Sequence, residues 1–427
     1  MQKTTSDTAD TNVAGAVASQ GILTNAGTGL SVDTVSNEAI RPFGKINFPE
    51  SDLVDLKRRI LATRWPEKEP VNDQSQGVPL STMKALADYW ATEYDWRKVE
   101  AQLNSLPQFI TEIDGLDIHF IHVRSKHANA LPIIVTHGWP GSPIEQLKII
   151  GPLTDPLSYG GKAQDAFDVV IPSIPGYGFS GKPGTTGWGP SKIAYAWVTL
   201  MKRLGYEKFF AQGGDWGGLI TDVMSVQSPE SLLGMATNFP VAVPPDIDKA
   251  AFAGLAAPAD LTPEEKKAYD QLSFSYKHVS YAFIMGTRPQ SLLATADSPI
   301  GLATIFLDHD QPSLAMISRV FEGKSEGLTR DDVLDNITLT WLTNTAVSGY
   351  RIYWENKYGF FNPQGVKIPV VVSAFPDELY QAPRNWAEKA YPNMVYYKKH
   401  NKGGHFAAWE QPELLVEDIR EGFKSLR

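Results

Sequence analysis

An aspartate occupies the position where a hydrolase nucleophile is usually a serine. Phe209-Phe210-Ala211-Gln212-Gly213-Gly214-Asp215-Trp216-Gly217-Gly218 reads as a short strand, a glycine-lined turn and a helix start, the setting of a nucleophile elbow. A carboxylate there attacks an electrophilic sp3 carbon and leaves an alkyl ester that water must cleave, which points to epoxides or alkyl halides. No G-x-S-x-G occurs in the chain, which argues against a serine hydrolase. The bland alternative for Asp215 is an ordinary helix N-cap.

Such an ester needs a base, an acid partner and an oxyanion site. His405, in Lys402-Gly403-Gly404-His405-Phe406 after the last expected strand, has the imidazole that activates water near neutral pH. Asp377 and Glu378, in Val371-Val372-Ser373-Ala374-Phe375-Pro376-Asp377-Glu378, are the two candidates to orient it, and only one can face inward. His137-Gly138-Trp139-Pro140-Gly141-Ser142 forms a strand-to-helix turn. It would place the Trp139 backbone N–H beside that of Trp216 as an oxyanion hole, with His137 structural and Pro140 a candidate cis proline. An epoxide also needs a proton donor for the opening oxygen, and a neutral phenol suits. There are sixteen tyrosines; Tyr281 and Tyr353 stand where side chains could hang over Asp215, although spacing alone selects neither. His119, His122 and His127 read as surface or packing residues.

The elements that must carry these residues follow from the apolar pattern. Runs at Ile118–Val123, Ile133–Thr136, Phe167–Pro172, Phe209–Gln212, Leu233–Asn238, Ile368–Ser373 and Val395–Lys399 alternate with helical segments, which implies a mostly parallel sheet flanked by helices. Between about residues 242 and 346 the strand pattern gives way to Leu, Ala, Tyr and Phe at helical spacing. This predicts a helical cap inserted after the sixth core strand. Upstream, Leu53, Leu56 and Ile60 predict a helix over Ser51–Thr63 with Ser51 as N-cap, and a second spans Ser81–Thr92. The expected division is a leader over 1–40, a meander over 41–130 running into the first core strands, core over 131–241, cap over 242–346 and core again over 347–427.

Composition narrows the class. The chain has 427 residues, 42% hydrophobic content and a net charge of −9; it is globular, with no basic stripe for nucleic acid. Without cysteine there are no disulfides, iron–sulfur clusters or thiolate zinc sites. Residues 1–40 are rich in Thr, Ser, Ala, Asn and Gly and read as a disordered leader. No stretch approaches the roughly 20 apolar residues of a bilayer span, so the expectation is a cytoplasmic or exported soluble protein.

Taken together, these motifs resemble the α/β-hydrolase-fold epoxide hydrolases of the microsomal and juvenile-hormone type, with their own N-terminal region. The resemblance covers about Arg41 to the C-terminus. It is carried by Leu56-Lys57-Arg58-Arg59 and Thr63-Arg64-Trp65-Pro66, the His137-Gly138-Trp139-Pro140 turn, Pro175-Gly176-Tyr177-Gly178-Phe179-Ser180, Gly214-Asp215-Trp216-Gly217 and Gly403-Gly404-His405-Phe406-Ala407-Ala408. It implies an α/β-hydrolase fold with a helical cap and a meander wrapping core and cap. Asp215 matches the nucleophile, His405 the base, Tyr281 and Tyr353 the oxirane tyrosines. Glu378 matches the acid, because the family's Phe-Pro-x-Glu pattern falls on Phe375-Pro376-Asp377-Glu378. The implied substrate is a small epoxide, with no cofactor, metal or nucleic acid; a homodimer is left open. Microsomal relatives begin with an apolar anchor, whereas this leader is polar, so membrane attachment is not carried over. The rival readings are a haloalkane dehalogenase and a catalytically silent hydrolase fold used for binding.

Overall fold

The computed structural model describes residues 39–324 and 327–427; the expected leader lies almost wholly outside them. Nine strands form one sheet: β1 (Arg41–Pro42), β2 (Gln108–Ile113), β3 (Leu116–Val123), β4 (Leu131–Thr136), β5 (Phe167–Pro172), β6 (Phe209–Gly213), β7 (Leu232–Thr237), β8 (Val370–Ala374) and β9 (Met394–Lys399). Their spatial order is β1-β2-β3-β5-β4-β6-β7-β8-β9. The β1–β2, β2–β3 and β3–β5 pairs are antiparallel and all others parallel. β6 and β8 are buried along their whole length, which explains why they read as continuous apolar runs rather than alternating ones. This is the α/β-hydrolase fold.

β2 was not among the expected strands. It pairs with β3 through Asp114 and Gly115, both at positive φ (50° and 76°). An Asp-Gly pair at the two centres of a tight hairpin supplies this conformation, so the signal was present in the chain. The helix Trp96–Asn104 was also unforeseen; Asp95 caps it by accepting the Arg97 N–H, and Trp96, Val99 and Leu103 bury its inner stripe.

The first helix runs Glu50–Leu61 and buries Leu53, Leu56 and Ile60 as the pattern predicts, but its N-cap is Pro49, and Ser51 lies inside the first turn without capping it. Glu50 and Asp52 sit in that turn and meet the positive end of the helix dipole instead. The second helix begins at Leu80.

The helical insertion follows β7, the sixth strand counted from β2, and carries Pro245–Phe252, Pro263–His278, Ser280–Thr287, Pro299–Leu307, Gln311–Phe321, Arg330–Leu342 and Ala346–Glu355. Several starts repeat one device, a capping side chain followed by proline, as at Thr262-Pro263 and Ser298-Pro299; proline at N1 loses no intrahelical bond. The expected end at residue 346 falls where another helix begins. That helix, Ala346–Glu355, packs against Ser280–Thr287. The N-terminal helices grip the insertion: Arg59 reaches Asp297 at 2.7 Å, the Trp90 indole donates to Thr338 at 3.0 Å and Tyr94 to Asp335 at 2.7 Å. No helix among the described residues is long and apolar enough to cross a membrane.

Candidate active site

Asp215 stands between β6 and the helix Trp216–Gln227 with φ +52° and ψ −127°. An L-residue held there costs of order 1–3 kcal/mol and persists only where its surroundings over-determine it. They do so through glycine: a Cβ on Gly217 would stand 2.0 Å from the Thr136 carbonyl oxygen, and one on Gly213 2.1 Å from that of Gly217. Only a bare backbone allows strand and helix to close this tightly. The Asp215 side chain makes no capping bond to its helix, which disposes of the ordinary N-cap reading. Its Oδ1 instead accepts the Trp139 N–H at 2.8 Å, and its Oδ2 lies 3.7 Å from His405 Nε2.

His405 follows β9 on a loop that Glu410 braces by accepting the N–H groups of Gly404 and Phe406, at 3.0 and 3.1 Å on either side of the histidine. Its Nδ1 meets Glu378 Oε1 at 2.6 Å. Glu378 is buried and Asp377, next to it, is exposed; the inward carboxylate of the pair is therefore Glu378. Burial works against the imidazolium, but the Glu378 charge and hydrogen bond, then Asp215 and Asp310, outweigh it and raise the His405 pKa to about 10. That shift favours the imidazolium at neutral pH.

The Trp139-Pro140 peptide is cis. His137 is buried, with Nδ1 against the Gly138 carbonyl (2.9 Å) and Nε2 accepting the Ile174 N–H (3.1 Å), so it ties two loops together and faces no substrate space through either nitrogen. Trp216 opens the helix after Asp215, and its N–H is one of the first-turn donors that the helix itself leaves unused. The turn Pro175–Ser180 holds the other side of the site to the insertion: Tyr177 donates to the Gly349 carbonyl at 2.9 Å and Ser348 to that of Gly176 at 2.7 Å. The three histidines that read as surface or packing residues, His119, His122 and His127, are structural. His119 is buried between Ser173 and Gln108 at 2.9 Å each, and His122 and His127 bond Tyr206 and Asp155; none lies on the surface alone.

The insertion supplies the facing wall. Tyr281 lies in the helix Ser280–Thr287 and Tyr353 in Ala346–Glu355, with ring centroids 6.2 Å apart. The Tyr281 ring lies 4.7 Å from Trp139 and the Tyr353 ring 4.6 Å from Trp216. A cavity of about 500 Å³ is lined by Asp215, Trp216, Tyr281, Tyr353, Phe360 and Leu379 among others, the size of small-ligand pockets. Burial first, then the Asp215 and other nearby carboxylates, hold the Tyr281 phenol well above its usual pKa; burial, then Tyr281 and Asp215, do the same for Tyr353. Both are neutral O–H donors at any working pH.

Sequence reasoning passed over His309. It follows the helix Pro299–Leu307 in Asp308-His309-Asp310 and is buried beside His405, ring centroids 4.2 Å apart. A histidine between two aspartates just before a helix was the available clue, though nothing in it tells which wall of the protein the ring will face.

Comparison with known proteins agrees with this architecture. Residues 40–146 match the family model described as epoxide hydrolase N terminus, and residues 132–287 that described as alpha/beta hydrolase fold. A Stigmatella aurantiaca protein, whose name assigns it provisionally to the epoxide hydrolases, is 49% identical over 91% of this chain and 86% of its own. Epoxide hydrolase 1 of Oryctolagus cuniculus is 35% identical over 90% and 89%. The crystal structure of juvenile hormone epoxide hydrolase from the silkworm Bombyx mori superposes with a TM-score of 0.80 at 29% identity, covering 91% of this chain and 95% of that one.

Proposed function

We propose, for a chain that belongs to the epoxide hydrolase family and is an epoxide hydrolase, that its reaction runs through two covalent steps centred on Asp215. The observation that carries this reading is the line of contacts from Asp215 Oδ2 to His405 Nε2 (3.7 Å) and from His405 Nδ1 to Glu378 (2.6 Å). The 3.7 Å separation is too long for a direct Asp–His hydrogen bond and leaves Asp215 Oδ2 free to attack carbon.

In the first step an Asp215 oxygen bonds to an epoxide carbon as the C–O bond breaks, while Tyr281 and Tyr353 donate to the leaving oxygen. Phenols suit because they are neutral before the step and stabilise charge that develops only during it. The proton that finally rests on that oxygen comes, through the tyrosines, from the resting His405 imidazolium. Esterification removes the Asp215 charge, one of the causes that hold the proton on His405, so the histidine emerges neutral and ready as a base.

In the second step neutral His405 takes a proton from water, whose oxygen adds to the Asp215 carboxyl carbon. Glu378 stabilises the reformed imidazolium, and the Trp139 and Trp216 N–H groups receive the oxyanion. Collapse expels the second diol oxygen, which takes the proton left on the Asp215 carboxyl, and the resting charges return. A dehalogenase would have no use for two phenols facing the nucleophile.

Replacing His405 by Gln removes the base of the second step alone. Intact-mass spectra of that variant with excess epoxide are expected to show one substrate mass added to the peptide bearing Asp215, and Asp215→Ala to yield neither adduct nor diol. An unlabelled His405→Gln enzyme that still consumes epoxide would overturn the covalent route.

A further inference from the structure

His309 belongs to no part of the mechanism above, yet its burial and pairing are those of a working group. Its Nδ1 lies 2.8 Å from Asp310 Oδ2, and its Nε2 is buried with no hydrogen-bond partner. Among the described residues, Asp215, His309 and His405 form a group in which one polar atom of each lies within 4.8 Å of the other two. For any three points no farther apart than that, some position lies within about 2.8 Å of all three, the length of a hydrogen bond from water.

We infer that His309, oriented by Asp310, is a second holder of the hydrolytic water: the water donates one proton to His405 Nε2 and the other to His309 Nε2, leaving its lone pair aimed at the Asp215 ester carbon. The inference rests on the covalent ester reading. Asp310 decides the polarity of the contact. A carboxylate can only accept, so the His309 ring must carry its proton at Nδ1, and in the neutral ring Nε2 is left as an acceptor. Burial alone would push the Asp310 carboxyl up, but its hydrogen bond with His309, the nearby His405 and the Ser313 N–H together hold it below the usual value. Asp310 is itself fixed, since its Oδ1 caps the helix Gln311–Phe321 through Ser313 N at 2.8 Å.

Two carboxylate–imidazole pairs thus face one water, with unequal tasks. His405 takes the proton that leaves, and His309 restricts where the oxygen can point. In the step itself the water O–H directed at His405 breaks and an oxygen–carbon bond forms at Asp215; the proton bonded toward His309 stays on oxygen and becomes the hydroxyl hydrogen of the Asp215 carboxyl. No other reactant is needed. Because the contact is made to the attacking water alone, it acts on ester hydrolysis and bypasses ring opening, which needs no water.

The test separates the two steps in the full-length enzyme by rapid quench and intact-mass measurement of the ester. In His309→Phe, which keeps a ring against Tyr281 (centroids 5.5 Å apart in the native pair) but has no nitrogen, ester hydrolysis is expected to slow by roughly tenfold to a hundredfold, in the range of lost positioning or proton-transfer partners. Ring opening should change far less, so that ester accumulates in the steady state. His309→Gln, whose amide oxygen can accept the same hydrogen bond, should recover part of the loss. Asp310→Asn keeps the helix cap but can donate to Nδ1, moving the ring proton to Nε2; it should slow hydrolysis as well. If His309→Phe slows both steps alike, or leaves the ratio of ester to free enzyme as in the unaltered protein, the assignment is wrong. Failure to trap any ester in His405→Gln would instead defeat the covalent reading beneath it.

Discussion

The two walls of the cavity reach the same precision by different means. On the sheet side, Asp215, Trp139, His405 and Glu378 all stand on loops just beyond strand ends, held by backbone constraint: a positive φ at Asp215, the Trp139 N–H on Asp215 Oδ1, and Glu410 clamping the His405 loop. On the cap side, Tyr281 and Tyr353 stand on helices, held by packing of rings against Trp139 and Trp216. In the proposed reaction the sheet wall makes and breaks the ester, and the cap wall sets where the epoxide oxygen lies. Backbone constraint is local and resists displacement, whereas helix packing depends on how a whole layer is seated. Hydrogen bonds join the layers beside these ring contacts, among them Asn336 Nδ2 on the Pro140 carbonyl at 2.7 Å, Tyr177 on Gly349 and Ser348 on Gly176.

The sharpest way to break this division is at the phenols. Removing a single donor to developing charge costs about 10²–10³ in rate, so Tyr281→Phe and Tyr353→Phe should each lower single-turnover ring opening by about that much, and the double variant by more than either. Ester already formed on a slow substrate should hydrolyse at nearly the unaltered rate. If the phenol variants slow hydrolysis more than alkylation, the walls do not divide the work in this way.

A smaller loss is expected at the acid. Glu378→Gln should reduce kcat by roughly a hundredfold or more, in the range of general acid–base contributions, while Asp377→Asn, on an exposed neighbour, should leave it nearly unchanged. The pH profile carries a second signature. With the folded His405 pKa raised to about 10, kcat/KM for ring opening should stay level through neutral pH and fall as pH passes about 10. Without Glu378, the leading support for the charged ring, that fall should begin at lower pH. The same shift ties stability to pH: a raised pKa contributes fully below the ordinary histidine value near 6.5 and is lost as pH rises toward 10, so denaturant midpoints should decline over that window. A stability that rises across it would contradict the charge assigned to His405.

The smallest effect probes the seam. Ser348→Ala deletes one buried hydrogen bond between the Tyr353 helix and the Pro175–Ser180 turn, worth about 1 kcal/mol. Urea denaturation should register that loss while kcat changes less than about threefold; a large rise in KM would show that the seating of the cap wall hangs on this one contact.

How far each wall was legible follows from the same contrast. Glycine, proline and a lone acidic or basic residue at a strand-to-helix turn mark a local conformation, so Asp215, His405 and the Trp139-Pro140 turn stood out from a short stretch of chain. Asp377 and Glu378 were equal by spacing, and family resemblance was needed to prefer the second; in the fold, exposure of one and burial of the other separates them. The Asp114-Gly115 hairpin shows a local signal that was present and passed over. Tyr281 and Tyr353 were named from their place in and beside the insertion and singled out by resemblance, because a tyrosine on an amphipathic helix has the same spacing whether it faces a cavity or another helix.

The chain by itself thus determined the strand–helix alternation, the inserted helical segment and the identity of the groups at the strand ends, all properties of neighbouring residues. Tertiary structure alone decided which phenols overlook Asp215, which carboxylate turns inward, and that His309, some ninety residues from both Asp215 and His405, comes to lie beside them. The reason is physical. Backbone conformation is dictated within a few residues, while the facing of a side chain on a packed helix depends on the rotation and seating of that helix against a partner far away in sequence.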